Sequence, residues 1–341
     1  MIQKIGRRTL AFENMPRIRG HAAIVGRKEG AGPLGKSFDL VAADTHFGQN
    51  TWELAESEMQ KQTIALAVQK SDLQLRDLDL LMAGDLLNQC IGSSIASVAS
   101  GVPFAGLYGA CSTMAEGLAL GACMIEGGAA ERLCAAASSH FCSAERQYRY
   151  PLAYGGQRTP TAQWTATAAG AAVLDREGDY PVRITHAILG RMVEMGVTDA
   201  NNMGAAMAPA AFDTLSALLQ DLNAQPADFD RILTGDLGNV GGDLLVDLFQ
   251  RKHIDITPSY GDCGSMLYRE KQDVHAGGSG CGCSAAVLCG DILRRMAKGE
   301  IGRIIFAGTG ALMSPTSVQQ GQPIAGVCHA VILETQRKEP M

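Results

Sequence analysis

The sequence predicts a duplicated α/β fold whose two halves stack as a five-layer αβαβα sandwich. Three observations lead there. The block Asp77-Leu78-Asp79-Leu80-Leu81-Met82-Ala83-Gly84-Asp85-Leu86-Leu87-Asn88 recurs as Asp228-Phe229-Asp230-Arg231-Ile232-Leu233-Thr234-Gly235-Asp236-Leu237-Gly238-Asn239, at a constant offset of 151 residues (228 − 77). A second block follows in each copy: Cys111-Ser112 opens a small-residue helix closing at Gly127, and Cys283-Ser284 opens another closing at Gly299, 16 residues on in both (127 − 111, 299 − 283). Finally, apolar strand-like runs alternate with helical stretches of about 12 to 18 residues, the pattern of βαβ units on a sheet covered on both faces.

The elements then fall in order. Thr63–Gln69 reads as part of an amphipathic helix, matched by Thr214–Gln220 in the second copy, and each leads through a short linker to an apolar strand ending in Gly-Asp-Leu. Leu86–Ala115 carries no charge, yet Asn88, Gln89, Ser93-Ser94, Pro103 and four glycines suit the inside of a globular domain better than a membrane span. Gly127 and Gly299 suit the left-handed position that closes a helix. Hairpin-like material ends both halves, Gln163–Leu174 with Pro181–Leu189, and Ile304–Gly308 with Gly326–Leu333, so the sheet is expected to be mixed. The break falls within Arg191–Phe212, dividing the chain into residues 1–190 and 191–341.

Composition narrows the function. The 341 residues carry 29 basic and 35 acidic side chains, a net charge of -6 that argues against nucleic acid as a partner. Ten cysteines are too dilute for a disulfide-built scaffold and fit reduced thiols in a cytosolic setting. Met1–Arg19 holds Lys4, Arg7, Arg8, Arg17 and Arg19 without the apolar stretch of a leader peptide.

Chemistry concentrates at the two Cys-Ser turns. Tyr108-Gly109-Ala110-Cys111-Ser112-Thr113 has the look of a nucleophile elbow, where helix-start amides lower a thiol pKa; the alternative is a small buried side chain. His140, His275 and His329 can converge on Cys111 from distant loops or serve as core hydrogen-bonding groups. The run Ala276–Cys283, with Ser279, Gly280 and Cys281, can form an amide-rich nest for an anion. Cys281 and Cys283 lack a second close Cys or His pair, so no metal site is expected. Asp85 and Asp236 hold equal places in the two copies, which suits a structural job for both or a pocket-lining one for Asp236. Arg146, Arg149 and Arg158, interleaved with Tyr148, Tyr150 and Tyr154, offer either carboxylate-binding forks or an interface.

The duplicated architecture and Cys111 resemble the thiolase and ketoacyl-acyl-carrier-protein synthase superfamily, which implies a thiolase-like fold and an acylated cysteine served by helpers from the second half. A closer resemblance is carried by Ser138–Gln147, Tyr150-Pro151, Tyr154-Gly155, Gln157-Arg158, Pro160–Thr165, Ala307–Thr316 and Gln319–Gly321. With these strings the chain, from about Gly6 to Glu334, is similar to the stage V sporulation protein AD family. It departs from the enzymes where it matters: Asp236 stands near the place of the synthase histidine, and Gly282-Cys283-Ser284-Ala285-Ala286 falls on the Asn-Thr-Ser-Ala-Ala-like string. A carboxylate cannot donate to a thioester oxyanion unless protonated.

The resemblance therefore implies no catalytic residues. It implies binding of dipicolinic acid (pyridine-2,6-dicarboxylate), as the free acid or its calcium chelate, with Cys111, His140, Asp236, His275, Ser279, Gly280 and Cys281 as the ligand-binding set. It further implies a component of the spore membrane channel complex for dipicolinate uptake in sporulation and release in germination. On that reading the chain is peripheral on the core side of the spore inner membrane, without a transmembrane segment. Its partners would be the other stage V sporulation A-operon membrane proteins and a second copy of itself. Two other readings remain: a thioester-dependent acyltransferase or condensing enzyme using Cys111 with His140 or His275 as base, and a scaffold of the channel complex.

Overall fold

The computed structural model describes residues 1–148 and 158–335; Arg149, Tyr150 and Tyr154 lie outside them. Of the fifteen strands among the described residues, ten make the continuous path of the main sheet: β1 (Arg17–Val25), β2 (Leu80–Gly84), β3 (Phe104–Gly106), β4 (Arg132–Ser139), β5 (Ala168–Asp175), β6 (Val182–Ile188), β7 (Arg231–Thr234), β8 (Tyr260–Asp262), β9 (Arg303–Leu312) and β10 (Ala325–Thr335). They are ordered β8-β7-β9-β10-β6-β1-β5-β4-β2-β3. Outward from the middle, β1-β5-β4-β2-β3 is matched by β6-β10-β9-β7-β8. The pairings match too. The outer strands β4-β2-β3 and β9-β7-β8 run parallel, and the inner ones pair antiparallel. Between β1 and β6 the join is a single pair, Arg17 with Arg183.

The sheet is mixed, as the sequence suggests, but only one of the two expected hairpins forms. β9 and β10 pair over their length. β5 has both edges taken, by β1 and β4, so β6 cannot return to it and instead pairs with β10. β6 thus sits in the second half's sheet although it precedes residue 191.

Five helices matter for the site: α1 (Trp52–Lys70), α2 (Thr113–Glu126), α3 (Met203–Leu222), α4 (Gly238–Gln250) and α5 (Cys281–Val287). α1 starts where Thr51 Oγ1 accepts the Leu54 amide at 3.3 Å, and α3 where Asn202 Oδ1 accepts the Ala205 amide at 3.3 Å. After α2 the left-handed residue is Gly128 (φ 75°), one place later than expected of Gly127; Gly299 (φ 75°) is as expected. α5 runs on through a π-helical turn, Leu288–Ile292, into Leu293–Ala297. Among the described residues no helix is long and apolar enough to cross a membrane.

Apolar side chains sort into three main groups. One is central and draws on both halves, with Leu118, Ile125, Leu133 and Leu174 against Ile304, Phe306 and Val331. Ile64, Val68, Leu81 and Val173 form a second beneath α1. Leu215, Leu218, Ile232, Phe249 and Ile332 form a third beneath α3. α2 and α5 lie in the central group, and α5 packs on β5 and β4 of the first half.

That packing leaves no room for a side chain. A Cβ on Gly170 of β5 would stand 2.3 Å from the Ala285 carbonyl oxygen, and one on Gly282 would stand 2.1 Å from the Ala168 carbonyl oxygen. The colliding atoms are backbone, so relief requires α5 to move off the sheet. Gly170→Ala is expected to destabilise the protein by about 2–3 kcal/mol, read as a lower urea midpoint at unchanged slope.

Candidate functional site

The chain reaches Cys111 through a tight turn. Ala110 is left-handed (φ 48°), Ala110–Ser112 make one 3-10 turn, and α2 begins at Thr113. Local hydroxyls bind the turn, Ser112 donating to the Gly109 carbonyl at 2.6 Å and Thr113 to that of Ala110 at 2.7 Å. The Cys111 side chain is buried, with Sγ 4.0 Å from Ser279 Oγ.

Behind this pair lies Asp236, fully buried at the end of β7. Its Oδ2 accepts the Ser279 hydroxyl at 3.0 Å and the Gly280 amide at 2.9 Å, and its Oδ1 accepts the Thr309 hydroxyl at 2.9 Å. Its own amide donates to Thr309 Oγ1 at 3.1 Å. Burial pushes the Asp236 carboxyl up to about 6, against the pull of the Cys111 thiol and the other donors. Burial and then the Asp236 charge push the Cys111 thiol well above its usual value. The helix start does not offset these, so the sulfur is a thiol at neutral pH.

A second buried acid fixes Asp236 in place. Asp262 accepts the amides of Leu237 at 2.8 Å, Gly238 at 2.9 Å and Ser265 at 3.0 Å, and the Thr234 hydroxyl at 2.7 Å. It thereby closes the N-terminal end of α4 and sets the turn that carries Asp236. In the first half Asp85 does the local job itself, accepting the Leu87 amide at 2.8 Å and the Ser93 amide and hydroxyl at 2.7 and 2.6 Å. Equal places in the repeat have come to different partners.

Cys111 and Ser279 open onto an apolar cavity of about 40 Å³, walled also by Leu86, Tyr148, Thr165 and the methionines Met203 and Met313. The amides of the 276–283 loop do not wait for an outside anion: that of Gly280 (φ 101°) meets Asp236, and that of Gly282 meets Ser139 Oγ at 3.2 Å. Cys281, fully buried at the start of α5, donates its thiol to the Ser138 carbonyl at 2.8 Å.

The histidines do not converge on Cys111. His140 Nδ1 accepts the Cys142 amide at 3.2 Å, so its Nε2 donates to the Thr45 carbonyl at 2.9 Å, and its ring lies 5.1 Å from Trp52. His275 lies 2.7 Å from the Thr159 carbonyl and 3.0 Å from Asp273 Oδ1. His329 Nδ1 accepts the Gly190 amide at 3.1 Å, and burial pushes its pKa down to about 4. None of the three lines the cavity. Arg146 pairs with Glu53, while Arg158 donates to the Asp273 carbonyl at 3.2 Å and stands 5.1 Å over the Trp164 ring. Among the described residues no group of three or more His, Cys, Asp or Glu is disposed to hold a metal ion. Sequence reasoning overlooked Asp262 and Thr309. Thr309 belongs to the Ala307–Thr316 string, and its signal is a hydroxyl amid the small residues of a buried strand.

Comparison with known proteins is consistent over nearly the whole chain. The family described as Stage V sporulation protein AD matches residues 6–334. The Stage V sporulation protein AD of Bacillus subtilis (strain 168) is 41% identical over 330 residues, covering 96% of this chain and 97% of that protein. Among solved structures, a single-residue variant of Xanthomonas campestris OleA superposes with a TM-score of 0.61 at 15% identity, covering 97% of this chain and 100% of that one. The 3-oxoacyl-[acyl-carrier-protein] synthase III of Aquifex aeolicus VF5 gives 0.57 at 13% identity, covering 94% and 99%. The corresponding FabH of Pseudomonas aeruginosa PAO1 gives 0.56 at 13%, covering 96% and 100%. Likeness at this identity shows the fold, a thiolase-like α/β fold with a mixed sheet.

Near the site, Glu56 is buried beside Asp85 and accepts the hydroxyls of Ser143 at 2.7 Å and Ser138 at 3.2 Å. Burial first, then the Asp85 charge, raises its pKa. A carboxyl whose folded pKa is raised holds its proton in the fold while the unfolded chain has lost it. Stability is therefore fully present below the usual carboxylate range and is lost as pH rises toward the folded value, at up to about 1.4 kcal/mol per pH unit. Thermal melts of the wild type are expected to fall in midpoint from pH 5 to pH 7.5. Glu56→Gln should flatten that decline in part, since Asp85 and Asp236 titrate in the same sense.

Proposed function

Because this chain belongs to the stage V sporulation protein AD family, we propose that it is a non-catalytic binding protein for dipicolinic acid, free or as the calcium chelate. It would act as a component of the spore membrane channel complex that takes up dipicolinate in sporulation and releases it in germination. The observation that carries the non-catalytic part is the carboxylate of Asp236 behind Cys111. A nucleophilic cysteine needs a partner that stabilises its thiolate, and a buried acid does the reverse. The acyltransferase reading also lacks a base, since His140 and His275 are engaged away from the cavity.

The cavity beside Cys111 and Ser279 is the ligand site on this reading, with Thr165 and Ser279 as its hydroxyls and with Asp236, Gly280 and Cys281 behind them. Among the described residues, none that lines the cavity is cationic. A free dianion there would face the Asp236 carboxylate in a medium of low dielectric, where like charges repel strongly. Two forms remove the conflict: the neutral calcium chelate, or the free acid bound with Asp236 protonated. Calcium then arrives as part of the ligand.

The mirrored strand order supports the duplicated five-layer sandwich, with the halves dividing ahead of β6 rather than at residues 190 and 191. A homodimer is supported by β3, an edge strand of the described sheet, beside a helix (Ile91–Ser97) with exposed apolar residues on it and just past its end: Ile91 is 43%, Ile95 39% and Val98 82% accessible, and Phe104 of β3 36%. Unpaired edges with apolar flanks invite a second sheet. The membrane station, peripheral on the core side of the spore inner membrane with the A-operon proteins as partners, rests on the family.

Calorimetric titration with dipicolinate, with and without equimolar calcium and against the 3,5-dicarboxylate isomer, tests the ligand. Free dipicolinate should bind more tightly as pH falls through about 6 and about tenfold more weakly per pH unit above it. Asp236→Asn should retain binding and abolish that dependence, while the chelate should show little of it. Absence of saturable binding in every form at millimolar ligand would leave the scaffold reading in its place. For the dimer, light scattering on Val98→Asp should report a monomer where the wild type reports twice the chain mass.

A further inference from the structure

The cavity holds about 40 Å³, room for a few water molecules and too little for an aromatic diacid. Something in its wall must move for a ligand to enter. Two parts of that wall, Leu86 and Tyr148, are tied to each other at its edge. Tyr148 ends the helix Phe141–Tyr148, and its hydroxyl donates to the Leu86 carbonyl. Gln147 Nε2 donates to the same oxygen at 3.1 Å, and the Tyr108 hydroxyl, 3.3 Å from it, has one proton to give either to that oxygen or to the Tyr148 hydroxyl. The two phenol oxygens stand 2.5 Å apart. A carbonyl oxygen offers two lone pairs, so three donors compete for it, and losing one leaves the others to take up the acceptor.

The tie sits at the surface. Tyr108 is 37% exposed and Tyr148 half-buried, so a hydroxyl that lets go meets water at once. The chain beyond Leu86 is also held away from relaxed geometry. Gln89 (φ 58°) and Cys90 (φ 52°) are consecutive left-handed residues, neither of them glycine. They are kept there by the Cys90 amide on the Leu87 carbonyl at 3.1 Å, the Cys90 thiol on the Leu107 carbonyl at 3.1 Å, and the Asn88 amide on Gln147 Oε1 at 2.9 Å. The last of these belongs to the tie itself.

We infer that Tyr148, latched with Tyr108 to the Leu86 carbonyl, is the gate of the Cys111 cavity, and that ligands enter and leave when this latch opens. Its role in dipicolinate traffic rests on the function proposed above, but the opening can be read without any ligand. Cys111 lies inside the latch and reports it. The probe is iodoacetamide at fixed alkaline pH, with alkylation followed by peptide mass spectrometry at Cys111 and at Cys134, which is fully buried within β4 and reports general unfolding.

Tyr148→Phe removes the donor and keeps the ring. It is expected to speed alkylation of Cys111 by about three- to tenfold, the factor for one net hydrogen bond, with Cys134 unchanged; Tyr108→Phe should give a smaller increase. An unchanged Cys111 rate in both variants overturns the gate, and so does a rise shared equally by Cys134. Calcium dipicolinate, the form whose binding is expected to depend little on pH, added to the same samples separates the two proposals. Protection of Cys111 supports both, whereas faster alkylation in the variants without protection upholds the gate and removes the chelate as the cavity's ligand.

Discussion

A carboxylate buried without a cation must take its donors from the protein, and Asp236 takes them from separate segments: Ser279 and Gly280 before α5, and Thr309 on β9. Much of the site follows from that demand. Ser279 is oriented toward Asp236 and so stands beside Cys111. Gly280, at φ 101°, presents its amide inward, a conformation costly for a residue with a Cβ. The Cys111 thiol, pressed between burial and a neighbouring acid, keeps its proton. One ionisable group therefore shapes the pocket and sets the chemistry of the sulfur.

The two halves show how duplication separates architecture from chemistry. Each has the same order of strands, and each puts an aspartate just past the strand that follows its amphipathic helix. Asp85 uses its lone pairs on its own loop, with Glu56 close by. Asp236 is released from that task because Asp262 binds the loop amides instead. The released carboxylate can reach across to Ser279, Gly280 and Thr309, and a site arises in one half from a position that is structural in the other.

Much of this was legible in the sequence because periodicity and repetition are local properties. The strand-helix alternation, the constant offset and the helix start after Cys111-Ser112 read directly onto the structure, whereas the second helix begins at Cys281, two residues ahead of Cys283-Ser284; the structure also brings Cys111, Asp236, Ser279 and Gly280 together. What was not legible depends on which of several donors wins a given acceptor. His140 and His275 carry the right chemistry for the site, but Thr45 and Thr159, distant in sequence, claim their ring nitrogens. The first hairpin failed for a similar reason: adjacency in the chain favours β5 with β6, while the sheet had already filled both edges of β5. Asp262 gave no signal at all, since an acid that binds amides at a helix start looks in sequence like any surface aspartate.

Competition for donors and acceptors also explains how a cysteine comes to sit beside a buried acid. A thiol is small, weakly polar and tolerant of a buried carboxylate, so Cys111 fills the floor of the cavity without adding charge. An imidazole in place of Asp236 would restore a donor toward the cavity and lose the acceptor that fixes Ser279, Gly280 and Thr309. Enzyme and binding protein thus make opposite demands on that one position: the first needs a donor aimed at the substrate, the second an acceptor aimed at its own loops. With Asp236 turned toward its loops, and the Ser279 and Thr165 hydroxyls donated to Asp236 and Glu145, the cavity is left with an apolar floor and the lone pairs of two hydroxyls whose protons are already engaged.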